Sequence, residues 1–482
     1  MQEKLVGRYE EREILQKTLV SGESEFIAVY GRRRVGKTFL IREFFKENLC
    51  FEITGIHDAP LAEQLQNFSQ AIGKAVGKRG KPPELPATWQ QAFQQLIAFL
   101  ETQKQRQKLV IFFDELPWLA TRRSRFLPAL DHFWNSWASA RSDIVLIVCG
   151  SAASWMIGNI INHRGGLHNR ITRRIRLVPF SLAETQEYLK GRKIDLGQRD
   201  ILELYMAMGG IPHYLREVEP GLSAAQIIDK ACFTSNGFLR DEFSKLYASL
   251  FEHSGNHVAI VRCLATKRRG LTRNEIAKQT KLQTGGGLTS LLHELEESGF
   301  VARMHPFGKS RKGILYRLVD EYSVFYINWV ERSRTFHKGA WLKKHSSPAW
   351  YAWSGYAFES VCFKHIPQMR RALGIEAVET TESSWLHRPR HGEDDGGQID
   401  LLIDRRDNCI NLCEMKFSER EVNIDKRYAG HLRNRRELFR EVTRSRKVLF
   451  LTMVTTYGVK QNLYSQELIT NSITMEALYV KM

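Results

Sequence analysis

Gly31-Arg32-Arg33-Arg34-Val35-Gly36-Lys37-Thr38 carries the spacing G-x-x-x-x-G-K-[ST], and its flanks decide how it reads. The short apolar run Glu25 to Tyr30 ends at Gly31, and the periodic segment Thr38 to Lys46 follows the loop. Strand, glycine-rich loop and helix in that order make a phosphate cradle. Gly31 and Gly36 bound the loop whose backbone N–H groups, with the helix amino terminus, face the phosphates. Lys37 reaches the outer phosphates, and the Thr38 hydroxyl is the expected ligand for Mg²⁺.

Working outward, Leu109 to Phe113 is a second buried-strand run, and it ends in Asp114-Glu115. An acid there lies at the carboxyl edge of a parallel sheet. Asp114 is expected to hold Mg²⁺ through water, and Glu115 to orient or deprotonate the attacking water. The plainer alternative is an acid pair that only caps a helix. The run Ile144 to Cys149 ends at Gly150-Ser151, which places the Ser151 hydroxyl as a sensor of the terminal phosphate. This strand follows the acid pair in sequence, yet its polar end fits between the two motifs in space. The expected fold is α/β, of the additional-strand P-loop ATPase type, with a glutamate base. The sequence holds no Asn-Lys-x-Asp guanine signature, so ATP is the preferred nucleotide.

With 482 residues, the chain exceeds one hydrophobic core, and about three or four units are expected. Lys and Arg number 71 against 53 Asp and Glu, a formal net charge of +18, which favours a polyanionic partner. The longest apolar stretch, Ile144 to Ile161, is broken by Gly150, Ser151, Ser154, Gly158 and Asn159. It reads as a buried strand running into a loop, and no membrane partner is expected. The amino terminus has no apolar signal core, and the seven cysteines form no Cys-x-x-Cys pair, so a cytoplasmic protein without structural zinc is expected. Cys409 and Cys413 fall in one strand with packing roles.

LVGRYEEREIL (with Gly7, Arg8 and Glu11), GRRRVGKT, FFDELPWL, LIVCGSAASWM, GLHNRITRRIRLVPFSLAE and GGIPHYL occur in an order that resembles the archaeal-type, AAA-like ATPases of the STAND class of signal-transducing NTPases. The resemblance covers roughly the first half of the chain. It implies that Gly7 and Arg8 lie near the nucleotide base and that Gly210-Ile211-Pro212 sits in a helical lid whose Pro212 touches the nucleotide. It also implies that Arg170 senses the terminal phosphate or acts as a finger, in its own subunit or on a neighbour in a homo-oligomer. His168 and Asn169 depart from the family's Leu-Tyr-Gly. Arg173 and Arg174 are nearby substitutes, and a solvated basic face is the plain reading of all three arginines.

From His257 to Leu318 the pattern looks like a winged helix. Its second helix is expected at Asn274 to Thr280, its third at Gly285 to Ser298 with Leu288, Leu291, Leu292 and Leu295 inward, and a wing hairpin at Phe300 to Tyr316. The wing carries Arg303, Lys309, Arg311 and Lys312, but the third helix carries His293, Glu294, Glu296 and Glu297, which oppose phosphates. Reading DNA in a groove is therefore the lesser expectation; the resemblance to STAND-like proteins implies a winged helix that packs on the ATPase. Val319 to Tyr326, with Trp329, looks like an aromatic bridge to the last domain.

Asp400 lies in the strand-like run Gln398 to Asp404 and Glu414 in the next, Ile410 to Phe417, across a turn at Arg405 to Asn408. Folding the hairpin brings Asp400 close to opposite Glu414, and period-two alternation puts Glu414 and Lys416 on one face. Glu359, in the helical segment Gly355 to His365, approaches as a third acid. Glu359, Asp400 and Glu414-x-Lys416 resemble the set of the PD-(D/E)XK nucleases. That resemblance implies a small mixed α/β, restriction-endonuclease-like domain whose Asp400 and Glu414 bind Mg²⁺ while Lys416 positions or activates water. Residues 426–447 hold nine Lys and Arg against two acids, on an expected helix that suits phosphate contacts. Val448 to Thr452 and Ile473 to Val480 are expected as further strands.

The domains so expected are 1–180 ATPase core, 181–240 helical lid, 241–335 winged helix with bridge, and 336–482 nuclease-like. An ATP switch controlling a Mg²⁺-dependent nuclease, with nucleic acid (DNA first) as partner and genome defence as a setting, leads. A non-cutting ATP-dependent binding switch is the rival, and a chaperone-like ATPase leaves the charge and the paired acids unexplained.

Overall fold

The apolar run before Gly31 is strand β1 (Glu25–Tyr30), one of five in a parallel sheet with β2 (Leu49–Thr54), β3 (Leu109–Asp114), β4 (Ile144–Gly150) and β5 (Arg173–Arg176). This computed structural model describes residues 5–77, 84–103, 108–121, 123–162, 169–251, 253–308, 313–388 and 396–482. Every residue of β3 and β4 is buried, as an all-parallel sheet covered on both faces requires, and this is why their sequences are unbroken apolar runs. The strand order is β2-β3-β4-β1-β5. β4 thus stands between the strand ending in Asp114 and the strand ending at Gly31, and all the carboxyl ends share one edge.

One face of this sheet is covered by the helices Leu61–Val76, Trp89–Glu101 and Phe126–Ser136, whose Phe68, Trp89, Phe93, Phe126 and Phe133 form a buried aromatic cluster with Phe51 and Phe113 of the strands. The helix after the glycine-rich loop runs Lys37–Phe44, two residues short of the expected end. The stretch after β4 is not a loop. It forms the helix Ala153–Met156, continued by one wide turn Ile157–Ile161, with Met156, Ile160 and Ile161 buried on one side. Their helical spacing outweighs the small residues that read as breakers.

The chain divides into two compact units, residues 1–178 and 179–482. In the second, the helices Ser254–Ala265, Arg273–Thr280 and Gly286–Glu297 accompany a three-stranded antiparallel sheet of β6 (Leu271–Thr272), β7 (Val301–Met304) and β8 (Leu315–Leu318), in the order β6-β8-β7. Leu288, Leu292 and Leu295 are buried and Leu291 is half-buried. The acids of the third helix are engaged locally: Glu294 pairs with buried His257 at 2.7 Å, and Glu296 with Arg303 of β7 at 2.5 Å. Lys309, Arg311 and Lys312 lie outside the described residues, as do Leu167 and His168. Beyond β8, Phe325 and Trp329 join Phe233, Trp341 and Trp353 in a second aromatic cluster, while Tyr322 lies against Tyr214 and Tyr326. Asp229 accepts the backbone N–H groups of Gly339 and Trp341, both at 2.7 Å.

A mixed sheet closes the second unit: β9 (Thr380–His387), β10 (Gly397–Arg405), β11 (Cys409–Lys416), β12 (Val448–Thr455) and β13 (Asn471–Thr474). Its order is β13-β12-β11-β10-β9, with β9, β10 and β11 antiparallel and β11, β12 and β13 parallel. The helix Lys426–Thr443 covers one face through Ala429, Leu432 and Phe439, and the helix Pro348–Lys364 packs against β11. The run expected as a strand from Ile473 to Val480 leaves the sheet at Thr474 and turns into a helix, Met475–Leu478, because Met475 and Leu478, three apart, are both buried. Cys413 is buried in β11, Cys409 half-buried, and all seven cysteines are free.

Candidate functional site

At the carboxyl edge of the first sheet the backbone of the loop is set by residues that tolerate unusual torsions. Gly31 has φ of 143°, and a Cβ there would stand 2.2 Å from the Leu177 carbonyl oxygen, so only glycine fits. Gly36, at φ of 93°, precedes the helix Lys37–Phe44 with no side chain capping its amino terminus, which leaves the first N–H groups to an anion. The Lys37 ammonium donates to the carbonyls of Gly31 and Arg32, both at 2.9 Å, and to Ser151 Oγ at 3.0 Å. The Thr38 hydroxyl donates to Asp114 Oδ2 at 2.7 Å. These are two hard oxygens of the kind Mg²⁺ selects, so the residues fit that ion.

Glu115 stands beside them in the left-handed region, at φ of 47° and ψ of 52°. Its carboxylate accepts from the Ser151 hydroxyl and, at 3.1 Å, from the Ser151 backbone N–H. Lys37, Ser151 and Glu115 on one side and Thr38 and Asp114 on the other are joined where the Glu115 N–H donates to Asp114 Oδ1 at 3.0 Å, and Lys37, Asp114 and Ser151 are buried. Buried Arg8, next to Gly7 at φ of 63°, donates to the Val35 carbonyl at 3.0 Å and ties the opening segment to the loop.

Arg170 is exposed in the turn before β5, and the sheet does not bring it to this edge. β5 starts with Arg173 beside Ile27, and Thr172 bonds Phe26 and Glu25 at the amino-terminal end of β1. At ~3.3 Å per residue, Gly31 lies roughly 15 Å further along. Arg173 is drawn to Glu25, at 3.5 Å, and Arg174 sits one step further, beside Ala28. The β5 residue nearest the loop is Arg176, opposite Tyr30. Sequence reading passed over it, although counting residues from the strand end would have marked it. Pro212 belongs to the second unit, in the first turn of the helix Pro212–Leu215, next to Gly210, where a Cβ would meet the Phe180 carbonyl oxygen at 1.9 Å.

The C-terminal acids stand on β10, β11 and the helix Pro348–Lys364. The β10–β11 register runs from Asp404↔Ile410 to Leu401↔Cys413, and one more step would set Asp400 opposite Glu414. On its other side β10 shifts its register against β9 between Ile399 and Leu402, the stretch that holds Asp400. Glu414 accepts from Tyr428 at 3.1 Å, pairs with Arg435 of the helix Lys426–Thr443, and lies 3.4 Å from Lys416. Asp400 accepts from Gln398 at 2.5 Å. Glu359, on the helix Pro348–Lys364, pairs with Arg317 of β8 at 3.4 Å. Burial first, and the Asp400 charge second, push the Glu359 carboxyl up to about 7 against the pull of Arg317. Glu359 thus feels the Asp400 charge, and Glu414 is engaged by Lys416 and Arg435. Among the described residues no three His, Cys, Asp or Glu side chains gather as a metal-holding group.

The basic helix is also partly engaged. On it Arg433, Arg435, Arg436 and Arg440 are in ion pairs with Glu467, Glu414, Glu437 and Glu437, and past its end Lys447 pairs with Asp404. Arg317 and Arg435 were missed in the sequence because neither lies in a motif; only their placement opposite an acid gives them a role.

Residues 5–218 match a family described as an ATPase domain predominantly from Archaea. An archaeal-type ATPase domain therefore occupies the amino-terminal part of the chain. The chain is 23% identical over 419 residues to the uncharacterized protein MJECL04 of Methanocaldococcus jannaschii, covering 86% of this chain and 88% of that one. Among solved structures it is similar to the Walker-type ATPase paby2304 of Pyrococcus abyssi, with 18% identity, 68% of this chain and 97% of that one covered and a TM-score of 0.49. It is also similar to the ORC2 protein of Aeropyrum pernix, solved as ADPNP and ADP complexes, with 15% identity, 71% and 96% covered and a TM-score of 0.40. Among the described residues no helix is long and apolar enough to cross a membrane.

Proposed function

We propose that the chain is an ATP-driven, STAND-like switch in which nucleotide binding and hydrolysis at Lys37, Thr38, Asp114, Glu115 and Ser151 control a metal-dependent nuclease in residues 336–482. Lys37 and the loop hold the phosphates, Thr38 and Asp114 hold Mg²⁺, and Glu115 takes the proton of the attacking water. Ser151 links Lys37 to Glu115, so contact with the terminal phosphate is passed directly to the base. Pro212 as a lid contact and residues 257–318 as a winged helix belong to this reading, as do nucleic acid as the partner and the cytoplasm as the location.

The observation that carries the nuclease half is that Glu359, Asp400, Glu414 and Lys416 all come from elements around one sheet, with Glu414 and Lys416 on one strand face. The residues fit Mg²⁺ through Asp400 and Glu414 once Glu414 leaves Arg435. The engagement of Glu414 by Arg435, and of Glu359 by Arg317, favours the second reading, a non-cutting switch that binds nucleic acid. The two are separated by incubating labelled single- and double-stranded DNA and RNA with Mg²⁺ or Mn²⁺, with and without ATP, using wild type, Lys37→Ala and Asp400→Ala. Cleavage that disappears in Asp400→Ala is expected, and the response of Lys37→Ala reports control by ATP. If no polymer is cut while ATP is still hydrolysed, the nuclease half is wrong.

A further inference from the structure

Within the second unit, a cleft of about 870 Å³ lies between the end of the β7 strand's loop, the helix Arg273–Thr280 and the edge strand β9. It shares Arg269, Leu315, Ser384, Trp385 and Leu386 with a recess of about 20 Å³ that ends on Asp400 and Arg317. The recess is thus the inner end of the cleft, with room for about one water molecule or phosphate oxygen. The walls are fastened together: Phe307 N–H donates to the Ser384 carbonyl at 2.7 Å, and Ser384 N–H to the His305 carbonyl at 3.3 Å.

Three features of the lining point to a ligand. Arg317 is 4% exposed, lies over the rings of Tyr356 and Phe363, and has a buried Nε with no partner. Glu275 is already held by Arg269 at 3.0 Å, which leaves exposed Arg388 as the surplus charge at the mouth. Half-buried Phe307, and His387 stacked on Trp385, present rings along the wall. A basic path with aromatic rings suits unpaired bases, whose faces are open for stacking, whereas a duplex hides its base faces.

We infer that this cleft is the path by which a single nucleic-acid strand reaches Asp400, with Arg388 at the mouth on a phosphate, Phe307 under a base and Arg317 at the inner end. The inference rests on nucleic acid as the partner and deepens that reading by naming strand type and route. The middle segment then works as one wall of the C-terminal site, and its acidic third helix is left out of recognition.

The test is fluorescence anisotropy of the full chain with a labelled oligo-dT and a duplex of equal length, in EDTA, across a salt series. Circular dichroism checks the folding of Arg388→Ala and Phe307→Ala. The expected result is tighter binding of the single strand, weakened about tenfold in Arg388→Ala with the salt slope reduced by about 0.7. Phe307→Ala weakens binding with the slope unchanged. Any other pattern in folded variants, whether a preference for duplex or wild-type affinity in either variant, overturns the path. Because the measurement excludes metal, a chain that binds here but never cuts refutes the nuclease and leaves the path standing.

Discussion

Glu115 is held in a backbone region that costs a residue with a side chain about 1 kcal/mol or more, and such strain persists where surrounding structure fixes it. Here Ser151 fixes it, through two hydrogen bonds to the carboxylate. Glu115→Gln keeps the size and loses the base, so ATP binding is expected to survive while hydrolysis falls roughly 10²-fold or more; nucleotide binding and steady-state hydrolysis measured together check this. Arg170→Ala is expected to leave the hydrolysis rate of dilute protein unchanged, because β5 carries Arg170 to the far end of the sheet. A loss in that variant at low concentration would contradict the placement, whereas a loss seen only as concentration rises would put Arg170 on a neighbour's site. That Lys37, Thr38, Asp114, Glu115 and Ser151 meet at one sheet edge was readable because strand-end positions fix where a side chain must stand. The reach of Arg170 was not, since a motif names a residue without saying at which end of the sheet its strand begins.

His365 shows the same logic for a group with no catalytic role. It is 1% exposed, its Nε2 accepts the Leu182 N–H at 3.1 Å, and its Nδ1 donates to the Val361 carbonyl at 2.8 Å. Only the neutral ring satisfies both. Burial depresses its pKa to about 4. In the unfolded chain it takes its proton near the ordinary value of about 6.5, so stability is lost as pH falls from there towards 4. His365→Gln, uncharged throughout, is expected to be less stable than wild type at pH 7 by about 1–3 kcal/mol but to show a shallower decline on acidification. Urea unfolding of both proteins over that range is the measurement, and equal slopes would remove His365 from the account.

Among elements, the hairpin of β10 and β11 is the instructive one. Its two strands and its turn were legible, because Leu401–Ile403 and Ile410–Cys413 are short runs buried at consecutive positions on either side of a polar turn. The register shift of β10 against β9 between Ile399 and Leu402 was not, since a one-residue irregularity leaves no mark in so short a run. Asp400 sits in that irregular stretch, and Glu414 is paired with Arg435 of the helix Lys426–Thr443. A cation there competes with a metal for the same carboxylate. Arg435→Ala is therefore expected to bind Mn²⁺ more tightly at the C-terminal site, by about tenfold for ~1.4 kcal/mol of removed repulsion and competition. Titration followed by electron paramagnetic resonance, with Asp400→Ala as the baseline, measures this; equal affinities in Arg435→Ala and wild type would mean that Arg435 does not guard Glu414.

For the whole molecule the governing quantity is the net charge of +18. It was legible from composition, yet composition does not say which cations are free, and the ion pairs of Arg433, Arg435, Arg436, Arg440 and Lys447 withdraw much of the helix that first suggested a phosphate-binding face. Cations that do meet phosphates release counterions, so affinity for DNA should fall linearly with salt on logarithmic axes, at about 0.7 per phosphate neutralised on a single strand. Asp400→Ala removes a negative charge from the inner recess while leaving every cation in place. It is expected to bind single-stranded DNA at least as tightly as wild type, with the same slope, even where it cannot cut. Weaker binding in a folded Asp400→Ala protein would mean that Asp400 acts on the polymer through hydrogen bonding to the strand itself, and would shift the C-terminal domain from cleavage towards recognition.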